Sequence, residues 1–290
     1  MVKASVLALA CAVTVSAKSD VALESEFVDK LHGMGYKYAA TEEHLNHRVE
    51  VPLTGALPES IDWTDERAVS PVRDQGMAES CWAFSAAGAV EGARVAAGAT
   101  LVDLSPQELL DCMGIPCNDG SGTMNDAFTF VAEPKQNGTM DSWDSYPYVD
   151  AGCTYYDIGH VCHDGISTAV QGAYVTDYHH TIVGNETDLM LALTRSPVSV
   201  AIFASLPSFK SYTSGVYSDD GCETVIKPML NHGVLAVGYG TTATGQDYWK
   251  IKNSWGKSWG ENGYIRMARG TGSNGMCGLL IDASQPIVTL

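Results

Sequence analysis

The sequence predicts an α+β chain in which a helical half precedes a β half. Between residues 57 and 165 the apolar residues fall in Ala- and Leu-rich runs with cap and stop signals. From residue 166 onward they fall in short alternating runs broken by Gly, Asn and Asp. A third observation sets the scale: 290 residues, 45% of them hydrophobic, suffice for one large domain or two small ones packed together.

Residues 18–56 are charged and loosely helical in pattern, with Phe27, Leu31, Met34 and Tyr36 on approximately helical spacing; Pro52 and Pro58 bracket a linker. The first helix of the helical half is predicted from Cys81 to Val95, stopped by Gly98. Ser105-Pro106-Gln107-Glu108 reads as a capping box with Pro at the first helical position. A third helix covers Asn125 to Val131. Strands are predicted at Thr168 to Tyr178, Val198 to Phe203, Gly233 to Tyr239, Tyr248 to Lys252 and Gly263 to Met267, with one helix, Glu186 to Thr194, among them. These runs suit an antiparallel sheet or barrel. A cleft between two such halves is a common place for a site.

Lys3, the apolar run Val6 to Val15 and the small residues Val15-Ser16-Ala17 read as a secretory signal peptide cut after Ala17. The run is too short for a stable bilayer anchor, so the mature chain is expected to be soluble and without a membrane anchor. A net charge of −17 argues against a nucleic-acid partner, because phosphate binding wants the opposite sign. Cys11 leaves with the signal, and Cys81, Cys112, Cys117, Cys153, Cys162, Cys222 and Cys277 remain. In an oxidising compartment an odd number leaves one thiol over. Cys81, followed by Trp82 and a helical run, is the natural odd one out, and the other six allow 15 pairings that spacing cannot choose among. No Cys-x-x-Cys ligand spacing occurs, so no metal and no cofactor is expected.

A cysteine at a helix start feels the positive end of the helix dipole, which favours its thiolate. His232 stands at the head of one strand-like run and Asn253 just after another, where a β half could present both to the helix bearing Cys81. A thiol attacking an amide needs a base, a group that holds the base, and an oxyanion hole. Cys81 as nucleophile, His232 as base, Asn253 as orienting amide and Gln75 with the Cys81 N–H as oxyanion donors would supply these parts.

These residues lie in blocks that resemble the papain family of cysteine proteases, cathepsin L-like in type. The blocks are Leu57-Pro58-Glu59-Ser60-Ile61-Asp62-Trp63, Val69 to Gly76, Leu104 to Cys112, Tyr146-Pro147-Tyr148, Asn231-His232-Gly233-Val234, and Asn253-Ser254-Trp255-Gly256 continuing through Trp259-Gly260 and Gly263-Tyr264. The resemblance implies a two-subdomain fold with a helical left half (57–165), an antiparallel β-barrel-like right half (166–290) and an active-site cleft between them. It implies a cysteine endopeptidase acting through a thioester, in the secretory pathway and secreted or lysosomal/vacuolar. Its partners would be protein or peptide substrates and proteinaceous cysteine-protease inhibitors, and it would be a monomer. Trp255 matches the indole that shields the His–Asn bond, and Trp259 a residue on the leaving-group side. Ser121 and Gly122 stand in the place of a substrate-pairing glycine pair. Met124, Ala201, Leu230 and Asp282 match the second specificity pocket, implying a Leu/Phe preference with some tolerance of Arg through Asp282.

Several positions depart from the family pattern. Ala78 replaces a disulfide cysteine, Glu79 replaces a glycine beside the nucleophile, and Asp119-Gly120 lengthens a loop. Cys222–Cys277 matches a family bridge; Cys112–Cys162 and Cys117–Cys153 are the pairings that would compensate for Ala78. Residues 18–56 resemble the first part of an inhibitory propeptide, with the part that threads the cleft expected to be absent. Asn137 and Asn185 head N-glycosylation sequons. The competing readings are a catalytically silent homologue used as a binding protein and an acyltransferase with the same triad.

Overall fold

A computed structural model describes residues 34–36, 47–48, 56–115, 121–149, 162 and 169–290. The predicted signal peptide, most of residues 18–56, and Cys117, Cys153 and the Asp119-Gly120 insertion lie outside the described residues.

Helix α1, Cys81–Ala96, is the central element. Its alanines favour the helix, Gly88 and Gly92 in its interior do not, and Gly98 ends it by taking a φ of 105° just past the cap, a conformation costly for a side chain. It is buried from Cys81 to Arg94 except at Phe84, so it is enclosed rather than amphipathic. One face is built from Ser85, Gly88 and Gly92 and lies directly on the sheet. A Cβ on Gly88 would stand 2.9 Å from Leu235 Cδ2, and one on Gly92 2.4 Å from Pro197 Cγ. Ser85 donates its hydroxyl to the Val234 carbonyl at 2.7 Å, and Ser199 donates to the Ser85 carbonyl at 3.0 Å.

Among the described residues, helices α2 (Pro106–Cys112) and α3 (Met124–Ala132) are the others of the helical half. Ser105 caps α2 by accepting from the Glu108 N–H at 3.1 Å. The reciprocal half of the predicted capping box does not form: Ser105 N–H goes to the Asp141 carbonyl, and the Glu108 carboxyl accepts from Asp141 N–H at 2.7 Å. Thr123 caps α3 through Asp126 N–H at 3.0 Å.

The β half contains β2 (Tyr174–His180), helix α4 (Glu186–Leu193), β3 (Val198–Ile202), the short helix α5 (Pro207–Lys210), β4 (Val216–Tyr217), β5 (His232–Thr241), β6 (Asp247–Lys252), β7 (Tyr264–Ala268) and β8 (Ala283–Thr289). The strand order is β2-β8-β3-β5-β6-β7-β4, antiparallel except for the parallel β4–β7 pair. Strand β5 is buried from His232 to Gly240, as its nearly unbroken apolar run requires. Strand β8 has no strand signal in the sequence because Pro286 interrupts it; it nevertheless pairs with β2 and β3. A two-residue strand β1 (Ile61–Asp62) from the first half pairs with β5, and Trp63 donates its indole N–H to the Leu193 carbonyl at 2.8 Å. The start of the helical half is thereby strapped across the β half. Bridges Cys112–Cys162 and Cys222–Cys277 are closed.

Burial pushes the Glu108 carboxyl up from 4.5 to about 7, against the pull of the Asp141 N–H bond. Between those values the folded chain holds a proton that the unfolded chain has released, so this group's contribution is full below about 4.5 and lost as pH rises through 7. The span corresponds to roughly 3 kcal/mol. We expect thermal melts to show Glu108→Gln weakening the gain in Tm between pH 7.5 and 5; an unchanged slope would refute the assignment.

Candidate active site

Cys81 opens α1 and is buried; among the described residues it is the free cysteine. Two backbone donors reach its sulfur: Gly233 N–H with N···Sγ at 3.3 Å and Gly35 N–H at 3.4 Å. Burial pushes the thiol up to about 11, with the amides of Gly233, Gly35, Trp82 and Tyr36 pulling weakly the other way. This corrects the thiolate expected from the helix start: in the covered cleft, desolvation of a charged sulfur outweighs the dipole and the donors.

His232 is the first residue of β5. Its Nε2 lies 2.8 Å from Asn253 Oδ1. The same oxygen accepts the Ser254 N–H at 2.8 Å, which identifies it as the oxygen and makes the imidazole Nε2 the donor. The Trp255 ring covers the imidazole, centroids 4.8 Å apart, and is held by edge contacts with Phe209 and Trp259. Trp259 is anchored through its indole N–H to the Lys210 carbonyl at 3.1 Å. A Cβ on Gly233 would meet Trp82 Cα at 3.0 Å, so the strand head carrying His232 lies against the helix turn carrying Cys81.

Gln75 is buried and doubly fixed. Its Nε2 donates to the Ala78 carbonyl at 2.8 Å, and its Oε1 accepts the Ser254 hydroxyl. The backbone on either side is tied to the Asn253 loop by Gln75 N–H to Ser254 O and Gly256 N–H to Arg73 O. Tyr148 donates to the Gln75 carbonyl at 2.9 Å, and its oxygen lies 2.7 Å from Ser80 Oγ. Ser254 and Ser80 carry no sequence signal of this kind, because a hydroxyl's partner is set by docking.

The cleft is not left open. Contrary to the expectation that no N-terminal segment threads it, Met34–Tyr36 passes through. Gly35 O accepts Gly122 N–H at 3.2 Å, Tyr36 N–H donates to Asn231 O at 3.2 Å, and Tyr36 forms a parallel bridge with Gly122. Met34 and Tyr36, expected on helical spacing, instead lie extended against the site, where the bridge to Gly122 holds them. The segment meets the sulfur with an N–H rather than a carbonyl carbon. Its glycine is required: a Cβ on Gly35 would fall 2.0 Å from Glu79 O. Glu79 is half-buried beneath it, Ala78 is fully buried, and Gly122 lies flat on the Trp82 indole.

Tyr36 is buried in one cluster with Met124, Ala201 and Leu230, and its hydroxyl donates to Asp282 Oδ2. Three of the sequence-predicted pocket residues thus share the buried cluster that holds Tyr36, Asp282 meets Tyr36 through its hydroxyl, and Val225 and Ile281 belong to the same cluster. Ser121 is half-buried beside Gly122. Asn137 is exposed, while Asn185 caps α4 by accepting Asp188 N–H through its Oδ1.

Residues 57–287 match the profile of papain family cysteine proteases. Cathepsin L of Sarcophaga peregrina is 40% identical over 284 residues, covering 91% of this chain and 77% of that protein. Cathepsin K of Mus musculus is 41% identical over 265 residues, covering 90% and 74%. Among solved structures, the bromelain protease from Ananas comosus in complex with the E64 inhibitor superposes with a TM-score of 0.69 at 38% identity, covering 80% of this chain and 99% of that one. The proform of the ragweed pollen allergen Amb a 11, a cysteine protease, gives 0.73 at 31% identity, covering 90% and 77%.

Gly35→Val should expel the segment and rehydrate the sulfur. Alkylation of Cys81 in the full chain should then inflect at lower pH and run at least ~10-fold faster near neutrality, one pKa unit being one decade of thiolate. A profile like that of the wild type would mean that Gly35 does not control the thiol.

Proposed function

Since the chain belongs to the papain family of cysteine proteases and is a cysteine endopeptidase, we propose that Cys81, His232, Asn253 and Gln75 are the residues that hydrolyse the peptide bond. The observation that supports this assignment is the His232 ring held by Asn253 at the head of β5, whose next residue, Gly233, gives its N–H to the Cys81 sulfur.

With Nε2–H committed to Asn253, His232 Nδ1 is the ring atom that exchanges a proton with the Cys81 thiol. Once Gly35 leaves, water and substrate reach the sulfur and the desolvation that holds it protonated falls away. The thiolate attacks the carbonyl carbon, and the oxyanion is held by Gln75 Nε2–H and the Cys81 N–H. The latter, at the first position of a helix, has no intrahelical acceptor. The imidazolium protonates the leaving amine, and His232 then takes a proton from the water that opens the thioester. Trp255 keeps solvent from the His232–Asn253 bond. Met124, Ala201 and Leu230 make the second pocket apolar and suited to large hydrophobic side chains, while Trp259 borders the leaving-group side.

In this reading residues 1–17 are a signal peptide and 18–56 a short propeptide whose Met34–Tyr36 keeps the zymogen closed. Residues 57–165 and 166–290 are the two halves of the mature enzyme. The protein would act in the secretory pathway, secreted or in a lysosome or vacuole, as a monomer open to proteinaceous inhibitors, with a glycan at exposed Asn137. Among the described residues no helix is long and apolar enough to cross a membrane.

Hydrolysis of dipeptidyl fluorogenic substrates should vanish in Cys81→Ala, and Gln75→Ala should lower kcat by about 10²–10³, the usual effect of losing one oxyanion donor. An epoxide inhibitor should label Cys81, which separates an enzyme from a silent homologue. Product analysis with an added amine acceptor separates hydrolysis from acyl transfer. Undiminished hydrolysis in Cys81→Ala would overturn the assignment.

A further inference from the structure

Resting on that endopeptidase reading, we propose that His180 is a specificity-determining residue. By holding Asp282 as a charge-compensated hydrogen-bond acceptor, it makes the second pocket select tyrosine over phenylalanine and exclude arginine.

His180 ends β2, and both it and Asp282 are sealed from solvent, 0% and 1% exposed. His180 Nδ1 lies 2.8 Å from the Thr181 carbonyl, which can only accept, so Nδ1 carries a hydrogen. Its Nε2 lies 3.0 Å from Asp282 Oδ1. That contact is a hydrogen bond only if one proton sits between the two atoms, as imidazolium and carboxylate or as imidazole and carboxylic acid. Without it, a nitrogen lone pair would face a carboxylate oxygen in a dry site, an arrangement of high cost. In both permitted forms the pair is neutral as a whole. Asp282 therefore offers the pocket an acceptor oxygen, Oδ2, without a net negative charge behind it.

The chain's own occupant uses that oxygen. Tyr36 belongs to the same buried apolar cluster as Met124, Ala201, Leu230 and Val225 and donates its hydroxyl to Asp282 Oδ2. Phenylalanine would fill the same walls and leave Oδ2 buried without a partner. A pocket built to bond a hydroxyl discriminates strongly against the analogue lacking it. Arginine would bring a full positive charge onto a floor whose carboxylate is already matched by His180, leaving that charge buried and uncompensated. The Arg tolerance expected from Asp282 alone gives way once His180 is counted.

The test uses the full chain carrying Gly35→Val, which frees the pocket of Tyr36, with active sites counted by epoxide labelling of Cys81, on substrates differing only in the residue that enters this pocket: Tyr, Phe, Leu and Arg. We expect kcat/KM for Tyr to exceed that for Phe by about 10-fold or more, with Arg the poorest. His180→Gln, which can donate to Asp282 but brings no positive charge, should raise the Arg-to-Phe ratio at least ~10-fold. A merely structural loss would lower all substrates together. Asp282→Ala should bring the Tyr-to-Phe ratio to near one. If these variants do not fold, Tyr36→Phe in the otherwise intact chain still decides: the segment should release and Cys81 label several-fold faster. Equal rates for Tyr and Phe substrates, Arg cleaved as well as Phe, or unaltered labelling of Tyr36→Phe would overturn the proposal. Absence of any Cys81-dependent cleavage of the Leu substrate would instead overturn the endopeptidase reading, leaving the Tyr36→Phe labelling as the measure of the floor.

Discussion

Everything at the site depends on the docking of the head of β5 onto the first turn of α1. Gly233 has no side chain because the Trp82 backbone is 3.0 Å from where one would begin, and its N–H reaches the Cys81 sulfur. The contact is upheld from behind by Ser85, Gly88 and Gly92, which bring the helix onto β3 and β5. Close packing of this kind leaves no room for adjustment. The imidazole that heads β5 and the thiol that heads α1 are therefore fixed by the same surface that builds the core.

A second set of ties runs through Ser254. Its N–H identifies Asn253 Oδ1, its hydroxyl meets Gln75, and its carbonyl receives the Gln75 N–H. The group that orients the base and the group assigned to the oxyanion share one intermediary, so a disturbance of either loop is felt by both. Fixing polar groups before the reaction is what makes them effective there.

Much of this was legible in the sequence, and the reasons are physical. Helix α1 announced itself by an Ala-rich run and Gly98, and α2 by Ser105. The strands β3, β5, β6 and β7 announced themselves by short apolar runs between turn residues. Positions 75, 81, 232 and 253 carried side chains whose joint chemistry made sense only if they met. What stayed hidden depends on docking across the chain. Pro286 masked β8, whose pairing comes from β2 and β3 rather than from its own pattern. Glu108 kept its N-cap but gave its carboxyl to Asp141, a partner 33 residues away. The covering of Cys81 by Gly35 could not be read from a Met-Gly-Tyr triplet, and without it the thiol looked more acidic than it is. His180 and Asp282 lie 102 residues apart, with nothing local to either that announces the other.

The glycine-and-serine face of α1 has a consequence for how this architecture can diverge. The chain between α2 and α3, which includes Asp119-Gly120, and the chain leading to β2 enter and leave on elements that are not part of the α1–β5 seam. Their length can change at the modest entropic cost of a longer loop without altering the relation between the two seam partners. Novelty in this scaffold is thus cheapest in such connections, while the seam itself admits scarcely an extra methyl group.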